Sequence, residues 1–127
     1  MANEITKRLG LTAANGALAL PTTPRTITLD MTGDFGGYNL QALAATTVEA
    51  MAVPTDVTGD FHVQIYNASE NIVDTVQVGY TAGAYSSGNY PITIKKGDGA
   101  SFTLRSGFTL YLYASAALNV EITTVQV

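Results

Sequence analysis

Cysteine and tryptophan are absent from this 127-residue chain, and histidine occurs once. Without cysteine there are no disulfides, zinc–thiolate centres or thiol nucleophiles, and the redox compartment stays undetermined. Charge is scarce, at 13% of residues, and lysine and arginine are missing altogether from residues 26–94. That stretch instead holds Asp30, Asp34, Glu49, Asp56, Asp60, Glu70 and Asp74, within a chain of net charge −4. Contact with a phosphate backbone needs clustered Lys and Arg, so nucleic acid is disfavoured as a partner. The groups that serve acid–base and nucleophilic catalysis are also few, so function is expected in shape, packing and partners. No enzyme activity, cofactor, metal or small-molecule substrate is expected. Long apolar runs are lacking too: no stretch nears the ~20 residues of a membrane-spanning helix, and no membrane contact is expected.

One segment imitates a signal peptide, because Lys7 and Arg8 precede a moderately apolar run over residues 9–20. Thr12, Asn15 and Gly16 interrupt that run and Glu4 spoils a basic leader, so the chain is expected to be made in the cytoplasm without a signal peptide.

What is present is apolar and alternating. Hydrophobic residues make up 46% of the chain, which suits one folded domain of ordinary size. Apolar and polar residues alternate with period two over residues 26–31, 61–66 and 75–80, the signature of half-buried strands. Further strands are expected over residues 5–9, 38–43, 47–53, 90–95, 100–105, 109–114 and 119–127. The helix-prone alanines of residues 40–51 are interrupted by Thr46, Thr47 and Val48, and read as two short strands with a turn. The fold expected is all-β: an antiparallel β-sandwich or jelly-roll-like domain of about eight to ten short strands. Its single sandwich domain spans residues 26–127, and residues 1–25 form an N-terminal strand and an extended arm in which Pro21 and Pro24 block helix and central strand.

Turn residues punctuate the strands at Thr32-Gly33-Asp34, Thr58-Gly59-Asp60, Gly97-Asp98-Gly99 and Ser106-Gly107, suggesting successive hairpins. The tetrapeptide Thr-Gly-Asp-Phe occurs at residues 32–35 and 58–61. It reads as a reused turn that admits a strand through an aromatic residue, since nothing around the two copies matches. Asp beside Gly in such turns is ordinary turn chemistry, with no EF-hand spacing for calcium.

Three groups stand out as candidates for contact. Lys7, Arg8 and Arg25 lie on the N-terminal segment. Lys95, Lys96 and Arg105 are expected near one another across a Gly97 hairpin. Tyr80, Tyr85 and Tyr90 punctuate a Gly-, Ser- and Asn-containing loop whose composition suits either an adaptable binding loop or a long connection with its rings lying back on the sheet. His62 is expected on the polar face of its strand beside Gln64 and Tyr66, without an acidic partner in that strand.

The blocks 61–71, Val76-Gln77-Val78-Gly79, Pro91-Ile92-Thr93-Ile94-Lys95-Lys96-Gly97, 110–114 and Val120-Glu121-Ile122 resemble a class of small β-sandwich virion proteins of tailed bacteriophages. The resemblance covers residues 59–122. It implies a capsid decoration or cement protein on the virion surface, whose partners are the major capsid protein and copies of itself, often as a homotrimer. The contacts expected under that reading are the basic residues of the N-terminal segment and the Lys95, Lys96 and Arg105 group. The alternative reading is a tail-fibre or receptor-recognition module that binds carbohydrate or protein through Tyr80, Tyr85 and Tyr90.

Overall fold

A computed structural model of the chain describes residues 4–9, 14–15, 18–19, 25–31 and 35–127, and everything below concerns these. Twelve strands are present: β1 (Glu4–Leu9), β2 (Ala14–Asn15), β3 (Leu18–Ala19), β4 (Arg25–Asp30), β5 (Gly36–Leu43), β6 (Val48–Ala50), β7 (Phe61–Asn67), β8 (Thr75–Gly79), β9 (Ile92–Lys95), β10 (Gly99–Leu104), β11 (Tyr111–Ala114) and β12 (Leu118–Gln126). There is no helix among the described residues. All ten strands expected from alternation have a counterpart, and the two added ones are a two-residue pair, β2 with β3. The rest of the expected arm lies outside the described residues.

Eight strands form two four-stranded antiparallel sheets, β10-β7-β12-β5 and β6-β11-β8-β9. Their pairing is nested: β5 with β12, β6 with β11, β7 with β10 and β8 with β9. This is one long hairpin rolled upon itself, closed by β12 against β7 and by β11 against β8, and it gives the strand order of a jelly roll. The core lies between the sheets, where Val63, Ile65, Val120 and Ile122 meet Val76, Val78, Ile94 and Leu112, all within 1% of full burial. Burying such side chains contributes roughly 1.5–3 kcal/mol each, an upper range because the unfolded chain already hides part of this surface.

The expectation of successive hairpins is corrected. Among the eight sandwich strands only β8 and β9 are joined as a hairpin; every other connection crosses from one sheet to the other. A Gly-Asp turn reverses the chain equally well within a sheet or across the core, and alternation does not distinguish the two. The corner after β7 is held by buried Asn67, whose Nδ2 donates to the Asp74 and Ile94 carbonyls at 3.3 and 3.2 Å while Oδ1 accepts from Ser69 N–H at 3.0 Å. In the β5–β6 corner, Thr46 adopts a left-handed φ of 52° and its N–H donates to the Ala114 carbonyl at 2.8 Å.

The strand over residues 26–31 also sits elsewhere than its alternation suggests. β4 pairs only with β1, in a separate two-stranded sheet, and leaves Ile27 exposed and Leu29 half-buried. Of the two Thr-Gly-Asp-Phe copies, the second leads into β7 and the Phe35 of the first leads into β5, so both precede a strand flanking β12. Thr58 and Gly59 N–H groups share the Oε1 of buried Gln126, each at 2.9 Å, and Phe61 is buried while Phe35 is 42% exposed.

Candidate functional site

Alternation along β7 and β12 turns Phe61, Val63, Ile65 and Val120, Ile122, Thr124 into the core. The opposite residues form the outer face of the β10-β7-β12-β5 sheet, and the registers order them in rows. Thr103, His62 and Val125 share one row; Ser101, Gln64, Thr123 and Tyr38 the next; Tyr66, Glu121 and Leu40 the third. Polar and aromatic side chains therefore cluster on a face that the core does not use.

Two depressions cross this face. The first, of about 260 Å³, lies where β1 and β4 approach the sheet; Lys7, Arg8 and Leu29 wall it, and His62, Gln64, Ser101 and Thr123 are among the residues of its floor. The second, of about 270 Å³, is lined by Tyr38, Gln64, Tyr66, Glu121 and Thr123. Gln64 and Thr123 line both, so the two depressions adjoin and together make a groove-like track along this face.

At the first end Lys7 Nζ donates to the Ser101 carbonyl at 3.2 Å, a group that edge strand β10 leaves free on its outer side. His62 Nε2 lies 2.7 Å from Ser101 Oγ and its Nδ1 3.1 Å from Thr103 Oγ1. A neutral ring meets both hydroxyls, donating through one nitrogen and accepting through the other. Desolvation, with the nearby Lys7 ammonium second, lowers the His62 pKa below its ordinary value. At the other end Tyr38 Oη donates to Glu121 Oε1 at 2.9 Å, and this bond to a carboxylate, ahead of desolvation and charge repulsion, raises the tyrosine pKa.

Ser101 is the residue that sequence reasoning missed. It lies 39 positions from His62, and only the β7–β10 pairing brings the two together. The distance is that of a nucleophile–base pair, but a hydroxyl rather than a carboxylate occupies the position that would orient the base. Among the described residues no group of three His, Asp or Glu side chains is arranged to hold a metal ion.

The other candidates are dispersed. Arg25 opens β4 opposite Leu9. Lys95 and Lys96 sit at the corner from β9 to β10, with Lys96 Nζ on the Glu70 carbonyl. Arg105 follows the far end of β10, so the expected grouping of Lys95, Lys96 and Arg105 is corrected: β9 and β10 belong to different sheets, and the length of β10 separates the two sites by about 20 Å. Tyr85 stacks on Tyr113 with ring centroids 3.9 Å apart, and Tyr90 is 2% exposed, donating to the Thr81 carbonyl at 2.8 Å. Burial, with Tyr111 a lesser cause, pushes the Tyr90 phenol up. Tyr80 remains 54% exposed. His62 lies on the outer face beside Gln64 and Tyr66, as its strand position predicts.

Compared with family models, curated proteins and solved structures, the chain matches none.

Proposed function

We propose that this chain is a structural protein of a bacteriophage virion, a decoration or cement subunit that docks on the capsid lattice together with copies of itself. The observation that carries this reading is an apolar tip at one end of the sandwich. Ile72 and Val73, in the corner between β7 and β8, are 82% and 71% exposed. Lys96 reaches the backbone of the same corner through the Glu70 carbonyl, and Lys95 adjoins it. We read these two adjacent aliphatic side chains held in water, with the lysines as a polar rim, as the centre of a surface that a partner covers. The resemblance of residues 59–122 to phage sandwich proteins and the low charge content point the same way. Many weak contacts of this kind, repeated over a lattice, retain a subunit through multivalency.

Quantitative mass spectrometry of purified particles tests the reading. A copy number near that of the major capsid protein, or one per few capsid subunits, is expected, together with loss of retention in Ile72→Ser/Val73→Ser. A few tens of copies would move the protein to the tail, and absence from particles would end the proposal.

A further inference from the structure

The groove on the outer face of the β10-β7-β12-β5 sheet has no part in docking through the end of the sandwich, and its side chains have their own chemical logic. Two of the six Lys and Arg residues and the sole histidine meet at one end, although the chain as a whole is acidic. No acidic residue among those described lines that end. The other end carries Glu121 with Tyr38 and Tyr66, residues that are 62% and 39% exposed. From His62 to Tyr66 the floor runs about 13 Å, the reach of a di- or trisaccharide.

We propose that this groove binds a carboxylate-bearing oligosaccharide, with the acid at the Lys7–Arg8 end and the neutral sugar hydroxyls and ring faces over Gln64, Glu121 and Tyr66. The charge is one-sided, so a polyanion such as nucleic acid, running the whole length, meets the Glu121 carboxylate and is repelled. A peptide fits poorly for a different reason. The middle of the floor, Gln64, Thr123 and Glu121, lies on β7 and β12, both paired on either side. The Ser101 carbonyl that edge strand β10 leaves free is taken by Lys7, so an added strand finds few ladder groups there. What the central strands offer is side-chain chemistry: an amide, hydroxyls, a carboxylate and aromatic faces. Such a set matches a ligand that presents many hydroxyls and apolar ring faces. Lys and Arg supply charge-assisted bonds to the acid group.

The test is calorimetric titration of the intact chain with a trisaccharide of one glucuronate on xylobiose, and with the same sugar as its methyl ester. Binding to the acid is expected, weakened at least about tenfold by esterification, by Lys7→Gln/Arg8→Gln and by Tyr66→Ala, and unchanged by Lys96→Gln at the distant corner. Amide shift mapping on the unaltered protein, expected to centre on Gln64, Thr123 and Glu121, keeps the test independent of how the variants fold. Equal binding of acid and ester, no binding at millimolar sugar, or equal binding of a tetraglutamate peptide would each overturn the proposal.

Discussion

The imidazole of His62 bridges two hydroxyls, from Ser101 and Thr103, and shares its cleft with Lys7 and Arg8. Desolvation and the Lys7 charge both disfavour its protonated form, so its pKa lies below 6.5 in the folded chain. Between the lowered value and 6.5 the unfolded chain binds the extra proton more readily. The contribution to stability is therefore complete above the ordinary value and is lost as pH falls through it. Thermal unfolding followed from about pH 7.5 to 5.5 should show a falling midpoint, and His62→Gln should flatten that slope. A slope unchanged by the substitution would remove His62 as its source. The single-residue reading of His62 as a polar-face residue was available from alternation. Its partners were not, because hydrogen bonds to Ser101 and Thr103 depend on which strand lies beside β7.

The strands themselves were the most legible part. Alternation at Phe61-His62-Val63-Gln64-Ile65-Tyr66 matches the burial of β7 residue by residue, because a side-chain period of two admits only one choice of inward face. Strand contacts at close range were not legible. β5 approaches β12 so closely at Gly36 (φ 144°) that an added Cβ would stand 2.2 Å from the Thr124 carbonyl oxygen. A similar approach occurs where Tyr90 lies over Gly79, whose absent Cβ would fall 2.6 Å from the ring. Gly36→Ala is expected to destabilise by at least about 2 kcal/mol, since backbone rather than a flexible side chain must move. Chemical denaturation measures it, and a change within ~0.5 kcal/mol would show that the β5 start yields without cost. The corner at Asn67 makes the same point. One asparagine satisfies backbone groups at three positions, Ser69 and Asp74 in its own corner and Ile94 in β9, and nothing in its sequence neighbourhood distinguishes it from an exposed turn residue.

At the scale of the molecule, the nested pairing divides the described residues into a sandwich and smaller appended pairs. β12 is flanked by β5 and β7, whereas β1 and β4 have only each other. Two-stranded sheets are marginal by themselves, and local opening follows the number of partners a strand must leave. In hydrogen exchange, amides of β7 and β12 should open only with global unfolding, and those of β1 and β4 roughly a hundredfold faster or more. Equal protection would mean that the β1–β4 pair is part of the same cooperative unit as the sandwich. Docking of Lys7 on the Ser101 carbonyl is one of the contacts that ties that pair to the sheet and walls the groove.

The sequence by itself determined the all-β class, the positions of ten strands, the inward faces of β7 and β8 and the absence of thiol chemistry. Those properties follow from composition and from a local period, which neighbouring residues define without reference to the rest of the chain. Tertiary structure alone decided which turns cross the core, that Arg105 lies far from Lys95 and Lys96, that Tyr85 and Tyr90 pack against their own domain, and that Lys7, His62 and Ser101 share one cleft. These depend on strand order, which is fixed by the packing of two whole sheets, and many orders are compatible with one pattern of alternation.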